Sequence, residues 1–514
     1  MKRYTITASL LLFAALSCPV AQAQVQSDAD KAIIIQANGG DAAARNTVAG
    51  WIFEGSHGQE QNSEKAYKLW AAAAQDNHPE AIANLGKCYE NGMGTAKNVD
   101  TAYNLYEKAA KLGNKNIVAE LKARADKTGD VRAAQFVAGA YEKGLGVNKD
   151  MKTAYTYYGI VADKTNNLDL QKKIALYYLN NHEVSESMTW FQKLADAGDA
   201  LGQYYYGKNV FEGQGARADK EKGFTYMLQA AKQNFPQAQN IVGQCYLKGA
   251  GVQRNPDQAA LWFNEAARRG EYEAQWNLAQ LYVAGEGVHK NYPEALHWMQ
   301  VCAPYGYDKH FQENCNTVWA GTEFYTFLQA QKAYEQNKNF DRAAKLFKQL
   351  DGEKVFGAKR MLALCYANSE NPKRDMKKAI SLLKDATKTD PYATYYLATF
   401  YKTGVKNKNG KVLVEQNQPE AVRLFREAAN RGCGLADSQL GDAYFEGNGV
   451  VMSQNDAVRH YIEAEKQYRL TQTARKRLSD CYTNAWGGLR EDKMEAARLS
   501  KPLRTMQLLQ YVKQ

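Results

Sequence analysis

The sequence predicts an all-α solenoid built from about eleven to twelve helical hairpins. Three observations carry this. One unit, about 36 residues long, recurs along nearly the whole chain. Each half of the unit has helical periodicity. Residues that end and start helices stand between the halves.

The clearest copies lie between Gln237 and Gly306. In the first, Ala238, Val242 and Tyr246 are four apart and share one helical face, with small Gly243 beside them. Gly249-x-Gly251 stops that helix, because glycine takes the left-handed conformation of a helix C-terminus. Asn255 then stands at an N-cap with Pro256 just inside the next helix, where Ala259, Phe263 and Ala267 share a face. The second copy repeats this from Ala274 through Leu278, Ala279, Tyr282, Gly285-x-Gly287, Asn291, Ala295 and Met299 to Gly306.

The alanine in the middle of the second helix serves as a ruler. It falls at Ala66, Ala102, Ala154, Ser187, Gly223, Ala259, Ala295, Ala343, Ala379, Ala421 and Ala457, and six of the ten intervals are 36 residues. Four residues earlier stand Asn62, Asn98, Asp150, Glu183, Asp219, Asn255, Asn291, Asn339, Asp375, Asn417 and Ser453. Ten of these eleven are Asn, Asp or Ser, whose short side chains cap helices. That agreement was not used to set the ruler, so it supports the register.

The irregular intervals are informative too. Sixteen extra residues around Asn116–Thr128 predict a further short helix. The repeat at Ser187 is short and lacks the Gly-x-Gly turn. Twelve extra residues at Tyr305–Ala320 predict a bend, and the Lys-, Asn- and Gly-rich turn Gly404–Gln418 predicts a mobile loop. Met494–Gln514 reads as a capping helix. Hairpins of this kind bury their apolar faces only against neighbours, so one elongated superhelix is expected. It divides into an array over 24–306 and a second over 307–514 with the capping helix.

Residues 1–23 read as a secretory signal: Lys2 and Arg3, an apolar run Ile6–Leu16, and cleavage after Ala23. The rival reading is a lipoprotein anchored through Cys18, although its box begins with Ala15 in place of leucine. The expected location is therefore periplasmic or secreted, with no membrane span in the mature chain. The formal charge of +11 falls to +9 without Lys2 and Arg3. Its lysines are spread over all repeats, which with export argues against a nucleic-acid partner.

Seven cysteines follow the cleavage site. Cys88, Cys245, Cys365 and Cys481 recur beside the packing tyrosine and read as buried small apolar side chains. Cys302 and Cys315 are candidates for a disulfide, and Cys433 has no evident partner. Of the seven histidines none forms a metal-ligand pattern, and there is no nucleophile elbow or phosphate loop. The expectation is no catalytic residue, no metal and no cofactor.

These motifs resemble the Sel-one-like repeat, a relative of the tetratricopeptide repeat, best at Ala81–Gly113, Gln237–Gly270, Ala274–Gly306 and Ala436–Ala464. Glu335–Leu350 looks closer to the tetratricopeptide form. The resemblance implies a right-handed α-solenoid whose first helices line a concave wall, and a scaffold for protein partners. On that wall it places Lys87, Gln135, Tyr204, Lys208, Asn240, Gln244, Trp276, Gln280, Tyr395, Ser438 and Asp442. Trp276 is either an interface anchor or a packing residue on the next repeat. Arg268, on a second helix, is expected to face away from the wall. The main expectation is a non-catalytic exported scaffold. The alternative is a binder of cell-envelope glycan, suggested by 33 tyrosines and the basic charge. A secreted, cysteine-rich branch of the family is linked to β-lactam binding or hydrolysis. It carries a cysteine pair per repeat where this chain has one, so that activity is a minor alternative.

Overall fold

A computed structural model describes residues 27–215, 217–407 and 409–513. Residues 1–23, which the sequence reads as a secretory signal and which include Cys18 and Ala23, lie outside the described residues. The described residues form twenty-seven α-helices, two short 3-10 turns and one two-stranded sheet. The fold is an α-solenoid of helical hairpins. Its contacts divide it into two units, Met1–Glu183 and Val184–Gln514.

The hairpin forms as its residues dictate. Helix Pro236–Lys248 ends on Gly249 in the left-handed conformation. Helix Pro256–Arg268 starts on Asn255, whose side chain accepts from the Gln258 N–H at 3.1 Å. All ten predicted Asn, Asp and Ser caps make this bond to the third residue of their helix. At the eleventh position Glu183 accepts instead from Lys152 Nζ at 2.8 Å. Every ruler residue is buried.

The small residue of the first helix has a steric reason. A Cβ on Gly243 would stand 2.7 Å from the Phe263 ring, so glycine lets that knob seat against the backbone. The second glycine of the turn acts between repeats. A Cβ on Gly287 would overlap the carbonyl of Pro256 at the start of the previous repeat's second helix, and Gly251 meets Lys220 O in the same way. Each turn thus sits on the N-terminus of the second helix before it.

In the first unit, the predicted extra helix is present as Lys115–Thr128. It buries Ile117, Val118, Leu121 and Ala125 in the core that runs from Ala37 to Val161.

In the second unit the structure adds to or departs from several expectations. The Tyr305–Ala320 insertion folds as helix Asp308–Asn316, and its Phe311 and Cys315 join Trp319 in a core shared by Ala259–Ala303 and Phe324–Cys365. The core is continuous through residue 306, and the contacts divide the chain at Glu183. The Gly404–Gln418 turn contains an antiparallel pair, Val405–Lys406 with Val412–Val414. Val405 and Val414 anchor it on Met376 and Ile380. The capping helix is only Lys493–Ser500. The tail beyond it returns to the earlier core, where Leu508, Leu509 and Val512 are buried and Lys332 Nζ donates to Val512 O at 2.6 Å. The unit therefore doubles back instead of running on as an extended array. Finally, Cys302 and Cys315 are not paired. Both are buried free thiols, seated as small apolar groups.

Candidate functional site

The structure separates the expected wall residues. In the first unit Gln135 is exposed and Lys87 reaches Glu120 at 2.6 Å. In the second unit several are consumed by packing. Asn240 is buried and accepts from Asn277 Nδ2 at 3.0 Å. Ser438 is buried beside Thr471, with 3.3 Å between hydroxyls. Asp442 is buried and accepts from Tyr461 Oη at 2.8 Å and Arg477 Nη1 at 2.7 Å. Gln280 Nε2 is buried with no partner among the described residues. Gln244 Nε2 donates to Glu273 at 2.7 Å. Trp276 is half-buried against Tyr307, His310 and Trp319 of the insertion. Tyr204 lies against Tyr205 and Phe235, and Tyr395 against Tyr396 and Phe425. Lys208 is half-buried.

Around Gln135 the first unit forms a groove of about 580 Å³. Its floor is helix Val131–Lys143, which presents Arg132, Gln135, Phe136 and Gly139 at helical spacing. Tyr103, Asn104 and Glu107 of helix Val99–Lys111 form one side and Tyr158 the other. The charged groups are tied back: Arg132 donates to Asp100 at 2.6 Å, Lys143 to Glu107 at 3.2 Å, and Tyr158 Oη to Glu142 at 2.6 Å. The carboxamides of Asn104 and Gln135 are exposed and have no hydrogen-bond partner among the described residues. Burial pushes the Tyr103 phenol up to about 12, so it stays a neutral donor.

Gly139 was missed by the sequence reading. A Cβ there would meet nothing within 4 Å. Glycine in mid-helix costs roughly 0.5–1 kcal/mol relative to alanine, and here packing does not require it. It leaves bare backbone on the groove floor, beside two uncommitted amides. Its sequence signal was its place in the repeat, where other copies carry Lys87, Gln244 and Gln280.

The second unit has a cavity of about 920 Å³, walled mostly by second helices. Arg268 faces into it and pairs with Glu463. Below it lies a buried ionic centre. Arg469 Nη2 donates to Glu294 at 2.9 Å, and Tyr392 Oη donates to the same carboxylate at 3.1 Å. Arg360 Nε donates to Asp390 at 2.7 Å, and both guanidiniums lie over the Tyr392 ring. Burial drives the Glu294 carboxyl up, but Arg469, His297 and Tyr392 outweigh it and hold it below the ordinary range. His297 Nε2 lies 3.0 Å from Gln467 O. Burial and the nearby Arg469 push its imidazole down to about 3, so it is neutral. Each of these charges faces an opposite one, which suits a clasp and not proton transfer. Among the described residues no group of His, Cys, Asp and Glu stands as a metal site, and no helix is long and apolar enough to cross a membrane.

Stacked hairpins with Gly-x-Gly turns define a helical-repeat protein. Ten stretches match the Sel1 repeat model: 44–78, 79–114, 132–166, 184–199, 200–235, 236–271, 273–300, 357–387, 391–433 and 435–467. They cover more than half of the chain, which belongs to the Sel1 repeat family. Proteins of this repeat class are typically interaction scaffolds and are generally non-catalytic. No curated protein matches the chain.

Solved structures resemble it at low identity. The protective antigen c5321 of uropathogenic Escherichia coli, described as displaying an SLR fold, is 22% identical over 91% of this chain and 85% of its own, with TM-score 0.27. A Sel1 repeat protein from Oxalobacter formigenes is 19% identical over 88% and 90%, with TM-score 0.21. Yeast Tom70 is 14% identical over 89% and 90%, with TM-score 0.24. At these scores the family match alone carries the assignment.

Proposed function

We propose that the chain is an exported scaffold that holds an extended protein segment in the groove of its first unit. The observation that carries this is the bare backbone of Gly139 beside the uncommitted carboxamides of Asn104 and Gln135. A carboxamide both donates and accepts, which is what a peptide group in an extended chain presents. The aromatic sides, Tyr103, Phe136 and Tyr158, suit an apolar side chain of that segment. Export is supported by the signal pattern of residues 1–23.

Envelope glycan is the second reading, since aromatic rings beside carboxamides also suit a sugar. A photo-crosslinking side chain placed at Gln135 in the living cell separates the two. Thr156, exposed on the helix that carries Tyr158 but outside the groove, is the control. A discrete protein adduct at 135 and none at 156 supports the proposal. A saccharide adduct at 135 supports the glycan reading. Adducts at both positions, or at neither, overturn the placement of the site.

A further inference from the structure

One loop of the second unit departs from its counterparts. After Gly-x-Gly, the repeats carry a pair of side chains that precedes the cap. The pair is Ala96-Lys97, Asn148-Lys149, Gln253-Arg254 and His289-Lys290 in four turns, and Val451-Met452 in a fifth. The positions are equivalent in space: the Cβ of Lys97, Lys149, Arg254 and Met452 each lies 3.3–3.6 Å from a Cβ built on the first glycine of its own turn. All these pairs are exposed. Packing therefore does not ask for valine and methionine there, yet Val451 is 86% exposed and Met452 66%.

The neighbouring turns extend the feature. Gly449 sits on Gln418, which follows the turn that bears exposed Val412, and Gly487, beside exposed Trp486, sits on Gln454 and Val458. Val412, Val451, Met452 and Trp486 thus stand along one edge, on three successive turns. They line neither the 920 Å³ cavity nor the smaller one of about 260 Å³ beside the ionic centre. The edge also carries exposed Lys406, Lys411 and Arg490, which have no ion-pair partner among the described residues. Lys493 is paired with Glu491 at 3.3 Å, and Glu415 is the uncommitted acid. Helices Gln418–Asn430, Gln454–Lys466 and Lys493–Ser500 all begin at this edge, adding the positive ends of their dipoles.

We infer that this edge docks on a lipid surface with anionic headgroups. Single apolar side chains projecting from turns, without a shaped groove between them, suit a deformable apolar phase better than the fixed relief of a protein. Tryptophan favours the level of the headgroups, and the surrounding cations favour anionic lipid. Docking is peripheral, and it is independent of what fills the first unit's groove.

The test is co-sedimentation of the full mature chain with vesicles of phosphatidylethanolamine and phosphatidylglycerol, and with phosphatidylcholine vesicles alone. The variant V451N/M452Q replaces the apolar pair with neutral polar side chains and leaves the charge of the edge unchanged, and Trp486→Ala is measured beside it. The expected result is binding to the anionic vesicles that weakens about tenfold in V451N/M452Q, with an unchanged thermal midpoint. The inference is overturned if the natural chain stays in the supernatant, or if V451N/M452Q binds as well as it does. It is also overturned if the same substitutions abolish self-association and leave vesicle binding as it was, since the edge then meets a second copy.

Discussion

Glu294 and Arg469 are 175 residues apart in the chain, yet their side chains meet at 2.9 Å in the interior of the second unit. Glu294 lies in the first turn of helix Tyr292–Cys302 and Arg469 in the link between the last hairpins. No periodic pattern joins them. The pair, with Tyr392 and His297, clasps the unit where it doubles back. Removing one partner leaves a charge buried without its counter-ion. Arg469→Met is expected to destabilise the second unit by about 3 kcal/mol. E294Q/R469M is expected to recover part of that loss. Denaturant unfolding checks both.

His297 makes the clasp sensitive to acid. Its folded value of about 3 lies below the ordinary 6.5. The folded unit therefore binds this proton less readily than the unfolded chain. Its contribution to stability is complete above about pH 6.5 and is lost as pH falls toward 3, by about 1.4 kcal/mol at pH 5.5. Glu294 acts in the same direction at lower pH, because its folded value is also depressed. Urea unfolding at pH 7.5 and 5.5 should show the loss in the natural chain and a smaller one in His297→Gln.

Two glycines of the first helices should respond oppositely to alanine. At Gly441 a Cβ would overlap the Tyr461 ring, so Gly441→Ala should destabilise by about 1–3 kcal/mol. At Gly139 the space is open, so Gly139→Ala should stabilise by about 0.5–1 kcal/mol. Thermal unfolding of the two variants reads the signs directly.

The cysteines of the described residues are all buried and free. Burial pushes Cys302 and Cys315 up to about 12, where little thiolate exists at neutral pH. Alkylation should be slow in the native protein and complete on unfolding, with mass spectrometry finding no bond between the two.

The hairpin was legible in the sequence because each of its features is local. Asn255 caps a helix three residues away, and Ala259 and Phe263 share one turn of it. The same holds for the extra helix at Lys115–Thr128. What escaped depends on pairs far apart in the chain. The return of Leu508 and Leu509 to a core two hundred residues earlier leaves no mark on the repeat. The resemblance placed Asn240, Ser438 and Asp442 on an open wall, but the second unit uses them between its own helices. Gln135 is exposed in a groove that its neighbour Gly139 leaves open. Trp276 was ambiguous in principle, since a periodic register states which face a residue takes and not what an insertion lays over that face.

The most direct measurement is in-cell crosslinking from Gln135 in the natural chain and in Gly139→Leu. Leucine is a good helix former in open space, so the variant should fold, while its side chain fills the groove floor. The account predicts a discrete protein adduct in the natural background that disappears in Gly139→Leu, with the fold intact by circular dichroism. An adduct that persists in Gly139→Leu, or its absence from the natural chain, would contradict a protein segment held against the backbone of helix Val131–Lys143.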